Sequence, residues 1–213
     1  LEPQGRLLEA MDASSRATAQ APSEPAYAGF KAQLESTAGM RRKARATLDA
    51  ALARKPDSAP LQFQLADLLE RENDTPGAMQ AYANVVRIDP RHGAALSQLL
   101  FLRQRVGDWH DLKTLRAQFH DGVAAGTPLL SPFVLLSQPS SRHEQLRCAN
   151  AWTAVLAPPA EPVPPRALPN DRLRVGYLSA DLYTHATAYL AAGLFESHDR
   201  SRFEIIAYST GPD

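Results

Sequence analysis

A single cysteine, Cys148, is all that the 213 residues contain, so no disulfide can form within the chain and a reducing compartment suits it. Net charge is missing too, because 23 Lys and Arg balance 23 Asp and Glu. A nucleic-acid partner would call for a clustered excess of basic residues, and none is expected here. No apolar run is long enough to cross a bilayer, and the first residues show no signal-peptide pattern. The chain therefore reads as soluble and cytoplasmic, with no membrane partner. Neither of the glycine-rich phosphate loops, Gly-x-Gly-x-x-Gly or Gly-x-x-x-x-Gly-Lys, occurs, which leaves a nucleotide site unsupported within these residues. The six histidines show no ligand spacing with cysteine or carboxylate, so no metal is expected.

What is present is a repeat. From about Pro25 the chain is self-similar at 34 residues, best seen by aligning Pro56 with Pro90. In the central unit Leu65, Ala66, Leu69, Ala78, Tyr82 and Pro90 occupy the large and small packing places of a tetratricopeptide repeat. One unit earlier Ala32, Ala44, Leu48, Ala51 and Pro56 do the same, with Gly39 at the turn. One unit later Leu96, Leu99 and Leu100 fill the first helix and Gly107, Asp108 and Trp109 the turn, but Leu112 and Arg116 stand where small and aromatic residues are usual. That unit reads as the end of the array. Two short amphipathic helices cannot bury their apolar faces alone, so such pairs stack into a curved solenoid whose concave face holds extended peptides. Asn84 is a candidate for that groove. Residues 1–24, with a short helix around Leu7 to Met11, read as a frayed end or degenerate repeat, and 25–126 as the repeats.

Residues 127–157 follow as a connecting helical segment. Within it Ser140 or Ser141 is placed to cap a helix with Glu144 near the capping-box position, and Leu146, Ala149, Trp152 or Thr153, and Leu156 form a stripe. Pro158, Pro159, Pro162, Pro164, Pro165 and Pro169 then mark a semi-rigid linker over 158–171. Beyond it, over 172–213, Leu173–Ser179 reads as a buried strand, about Thr187 to Ser197 as a helix and Phe203–Tyr208 as a second strand. This is a β-α-β unit with parallel strands by default. Ser179, Asp181, Thr184, His185 and Thr187 crowd the turn at the carboxyl end of the first strand, where open α/β sheets place their ligand crevice. The chain opens on Leu1 and stops just after the second strand, so a piece of a longer protein is expected.

The order of parts resembles the peptide O-linked N-acetylglucosamine transferase family, including its bacterial members and the plant SPINDLY branch. The resemblance runs from about residue 28 onward. Its most specific residues are Leu173–Asp181, His185 with Thr187, and Phe203–Tyr208 before Pro212 and Asp213. It implies a mainly α chain, a tetratricopeptide-repeat solenoid followed by the first β-α-β unit of a Rossmann-like glycosyltransferase lobe. It also implies His185 as the catalytic residue, with Thr187 and Thr184 binding substrate. Ala186 stands where many relatives have proline, and Tyr183 where some carry glycine. A histidine suits this place because it can take or relay a proton near neutral pH as a hydroxyl attacks an anomeric carbon, and it can equally hold substrate. The implied activity is transfer of N-acetylglucosamine from a UDP-sugar to Ser or Thr of protein acceptors recruited by the repeats. The donor is a co-substrate bound by a lobe outside this chain, and no cofactor is implied. A noncatalytic repeat scaffold is the other class the repeats allow, and transfer of a different sugar such as fucose is a third reading.

Overall fold

Helices dominate because apolar residues recur at helical spacing between turn signals, and each helix starts or stops at a residue with a local reason to do so. In the computed structural model, which describes residues 2–156 and 172–211, the chain divides into two units, residues 1–160 and 161–213. The first carries α1 (Glu2–Gln20), α2 (Pro25–Thr37), α3 (Arg41–Arg54), α4 (Ala59–Arg71), α5 (Thr75–Ile88), α6 (Gly93–Val106), α7 (Leu112–Ala125), α8 (Pro132–Leu136) and α9 (Arg142–Leu156). The proline-rich linker expected over 158–171 lies outside the described residues.

The tetratricopeptide pairs are α2 with α3, α4 with α5 and α6 with α7. The first helices begin at Pro25, Ala59 and Gly93, each 34 residues after the last. Small residues set the approach: Ala66 and Ala78 are 0% exposed, and Tyr82 is buried beside them. The Tyr82 hydroxyl donates to Glu70 Oε2 at 3.1 Å, and burial first, then Glu70, pushes its phenol well above the ordinary range. Substituting Ala78 by leucine adds three carbons to a filled contact, an overpacking that costs about 1–3 kcal/mol. A thermal melt should show that loss, and an unchanged Tm would refute the register.

Two readings of the helical unit are corrected. The N-terminal segment is a 19-residue helix, longer than the short helix about Leu7 to Met11. Ser14 and Thr18 turn their hydroxyls back onto the carbonyls of Met11 and Ser14 at 2.9 and 2.8 Å, so these polar residues satisfy themselves without breaking it. The third pair departs from the repeat because of an insertion. Gly107 closes α6 in the left-handed region, Asp111 also takes positive φ, and α7 starts at Leu112, 37 residues after Thr75 where 34 separates the earlier second helices. Counted with those three extra residues, Phe119 stands in the place of Tyr82. Phe119 is 0% exposed, so the aromatic expected at Arg116 is present one turn later.

Residues 127–156 of the connecting segment are built into the same core. Ser131 N donates to Ser97 Oγ at 2.9 Å and Gln138 Nε2 to Gln104 Oε1 at 2.8 Å, each pair 34 residues apart. Leu130, Val134, Leu135 and Cys148 join Phe119 and Val123 in one buried cluster. Gly93 permits this join: a Cβ there would lie 2.1 Å from Pro128 O. Ser141 caps α9 reciprocally with Glu144, whose Oε2 accepts from Ser141 N at 2.8 Å and Ser141 Oγ at 2.7 Å, while His120 Nδ1 lies 3.0 Å from its other oxygen. The Ser141 N–H, then its hydroxyl, then His120 hold the carboxyl at about 2, from 4.5. A depressed folded value means a contribution complete above about pH 4.5 and lost as pH falls toward 2. Glu144→Gln is therefore expected to flatten the fall of Tm across that window, read by melts at stepped pH, and an unaltered slope would count against the pairing.

The second unit is β1 (Leu173–Ser179), α10 (Ala186–Glu196) and β2 (Phe203–Ser209), with the strands parallel and in register from Leu173 opposite Phe203 to Ser179 opposite Ser209. Tyr177 joins strand to helix and loop: its ring meets Phe195 edge-on at 4.8 Å and its hydroxyl lies 2.7 Å from His198 Nε2. The buried strand expected at 173–179 is not buried. Leu178 is 72% and Leu190 of α10 86% exposed, because two strands and one helix cannot cover both faces of a sheet.

Candidate functional site

The site is formed where β1 hands over to α10. The parallel ladder runs one residue past the strands, with Thr210 N donating to Ser179 O at 3.1 Å, and Asp181 N donates to Ser179 Oγ at 3.0 Å. These bonds tie the start of the turn to the sheet. Gly211 lies so close to the same turn that a Cβ would be 1.9 Å from Ala180 O. The place of Tyr183, glycine in some relatives, makes no demand for left-handed backbone, since the positive-φ residues among those described lie elsewhere. Its ring sits 5.6 Å from that of His185.

His185 is the N-cap of α10. Its backbone is extended (φ −142, ψ 153), and its Nδ1 accepts from Thr187 N at 3.2 Å, occupying one of the amide donors that a helix start leaves free. Asp181 Oδ2 approaches the same pair, 3.5 Å from Thr187 Oγ1 and 3.9 Å from His185 Nδ1. The structure thus brings together His185 and Thr187, and adds Asp181. Thr184 faces a different feature, an open hollow of about 500 Å³ shared with Leu182, Tyr183, Ala188, Tyr189 and Phe195, which neither His185 nor Thr187 lines. Asp181 was visible in the sequence only as one polar residue of the turn. Its role depends on side-chain direction, which spacing does not report.

The cap fixes the chemistry of the ring. A backbone N–H can only donate, so Nδ1 must be unprotonated, and the neutral ring then carries its proton on Nε2. His185 as seen here offers a hydrogen-bond donor to a ligand. His92 caps α6 in the same way, accepting from Ala95 N at 3.2 Å, so capping alone does not mark a functional histidine.

In the helical unit a hollow of about 430 Å³ lies between α2, α3 and α4, lined by Gln33, Ser36, Phe63, Gln64, Asp67 and Arg71 among others. Gln64 Oε1 is buried without a hydrogen-bond partner. Asn84, the groove candidate, is tied instead to Gln62 Oε1 at 3.4 Å. Cys148 is buried against Leu130 O, and burial raises its thiol above the ordinary value. No helix among the described residues is long and apolar enough to cross a membrane.

Residues 136–213 match the model of glycosyl transferase family 41. The match begins at the end of α8 and covers α9 and the whole β-α-β unit with His185. Among solved structures the chain is similar to a mutant O-GlcNAc transferase of Thermobaculum terrenum, at 22% identity over 98% of this chain and 35% of that one, TM-score 0.49. It is also similar to MamA of Desulfovibrio magneticus RS-1, at 18% identity over 66% and 72% of the two chains, TM-score 0.45. A thermophilic TPR protein of Thermus thermophilus matches at 17% identity over 71% and 93%, TM-score 0.46. The chain spans about a third of the length of the first of these.

Proposed function

We propose that the chain is the repeat array and opening catalytic unit of a cytoplasmic protein O-glycosyltransferase, which moves N-acetylglucosamine from a UDP-sugar to Ser or Thr of acceptors recruited by the repeats. The observation that carries this reading is the family 41 match over residues 136–213, with His185 at the carboxyl end of β1 inside it. In the reaction the acceptor hydroxyl loses its proton and its oxygen bonds to the anomeric carbon, while the bond from that carbon to the diphosphate breaks and UDP leaves with the electron pair. His185 and Thr187 face this centre from the first turn of α10, and Thr184 contacts substrate from the neighbouring hollow. The hollow between α2, α3 and α4, lined by Gln33, Ser36, Asp67 and Arg71, supports acceptor binding by an extended segment whose backbone groups need partners. The reading uses no metal or other cofactor.

Diphosphates are held by helix N-termini and basic residues of a dedicated loop, which this reading puts in a further lobe. The 213-residue chain alone is expected to show no binding of UDP-N-acetylglucosamine in calorimetric titration, and micromolar affinity would overturn that division of labour. A chain extended through the further lobe, incubated with labelled UDP-N-acetylglucosamine and a Ser/Thr peptide, is expected to label the peptide. A folded extended chain that labels no acceptor would favour the repeat scaffold, and labelling only from a fucose donor would correct the sugar.

A further inference from the structure

A ring that holds its proton on Nε2 cannot take a hydroxyl proton there. To act as an acceptor His185 must move that proton to Nδ1, and Nδ1–H then points at the Thr187 amide, a second donor. The carboxylate beside this pair is Asp181, with Oδ2 at 3.9 Å from Nδ1. Asp181 is anchored on the strand side through the bond of its own N–H to Ser179 Oγ, so it can hold the ring when the cap at α10 is released. The titratable neighbours of the ring are the Asp181 carboxyl and the Tyr183 phenol. The Thr187 amide set free lies in an exposed first turn, where water satisfies it.

We propose that Asp181 is a positioning residue for His185: it draws Nδ1–H into a hydrogen bond with Oδ2 and so converts Nε2 from donor to acceptor. This rests on the reading of His185 as the group facing the acceptor hydroxyl. In the step itself the hydroxyl proton passes to Nε2, the ring becomes an imidazolium, and Asp181 remains a carboxylate bonded to Nδ1–H. A bond of about 2.8 Å, ordinary for a charge-assisted pair, needs a closure of roughly an ångström from the present separation. His92 is the internal contrast, since its capping ring packs on Phe63 at 4.8 Å and no His92 ion pair occurs among the described residues.

The test reads the tautomer directly, by long-range ¹H–¹⁵N correlation of the imidazole nitrogens in the ¹⁵N-labelled chain at alkaline pH, where the rings are neutral. His185→Gln supplies the assignment. Asp181→Asn is expected to move the His185 Nδ1 shift further toward the unprotonated value, leaving His92 unchanged. Thr187→Pro, which removes the competing amide at a helix position that Pro60 and Pro76 occupy in α4 and α5, is expected to move it toward the protonated value, and Asp181→Asn added to it should reverse that. His185 shifts identical in wild type and Asp181→Asn would overturn the proposal, whatever the behaviour of the proline variant. In the extended chain Asp181→Asn should lower kcat with KM kept, by up to the roughly 10²–10⁴-fold that a positioned base contributes, with partial rescue by Asp181→Glu. Tautomer coupling without any transferase activity would sink the proposed function and leave the Asp181 assignment standing; activity without tautomer coupling would do the reverse.

Discussion

Substituting His185 by asparagine in the extended enzyme is expected to lower turnover by about two to four orders of magnitude, the range for a positioned acid or base, while the melting temperature holds. Asparagine is the informative replacement because it separates the cap from the proposed role of the imidazole. Its Nδ1 caps α10, and an asparagine side-chain oxygen accepts the same amide bond. His185→Ala removes both functions, so it should also lose the roughly 0.5–2 kcal/mol that a cap contributes. The difference in stability between the two variants measures the cap, and the turnover they share as a loss measures the imidazole. His92→Asn, at another capping histidine, should leave turnover unchanged. If folded His185→Asn turns over near the wild-type rate, the residue is a cap and nothing more. A pH–rate profile then separates the remaining roles: an ionisation in the histidine range that vanishes in the variant indicates proton transfer, and one that persists indicates substrate positioning.

Phe119→Ala carries the largest expected loss of stability, about 3–5 kcal/mol for an aromatic truncated in a filled core. Its ring is 0% exposed and is packed in one cluster with Val123, Leu130, Val134, Leu135 and Cys148, so the cavity would open where α7 meets the 127–157 segment. For a chain of this size each kcal/mol lowers Tm by roughly 2–4 °C, which gives a drop of roughly 6–20 °C. Arg116 is the control. A strict 34-residue count from Tyr82 puts the aromatic place there, yet Arg116 is only half-buried, and Arg116→Ala should cost less than about 1 kcal/mol. The reverse order of effects would show that the three-residue insertion before α7 had been misplaced.

Local patterns account for what the sequence determined unaided. The α2–α5 repeats were legible because the packing places recur 34 residues apart, Ala32 with Ala66, Ala44 with Ala78 and Leu48 with Tyr82, a pattern that can be counted along the chain. The same holds for β1, α10 and β2, whose apolar runs are bounded by turn residues, and for the Ser141–Glu144 cap, which lies within one turn. His185 could be placed at a strand end for that reason. Tertiary structure decided the rest, in each case through partners far apart in sequence or through side-chain direction. The insertion before α7 hid Phe119 from a fixed count, and only burial identifies it. The attachment of 127–157 to the array is made by Ser97 with Ser131 and by Gln104 with Gln138, polar pairs that carry no periodic signal. The exposure of β1 follows from how few elements cover it. The state of the His185 ring was set by an amide two residues on, with a carboxylate four residues back at 3.9 Å: all three residues could be read in the chain, but which nitrogen faces which group is a fact of rotamers, and rotamers are fixed by packing.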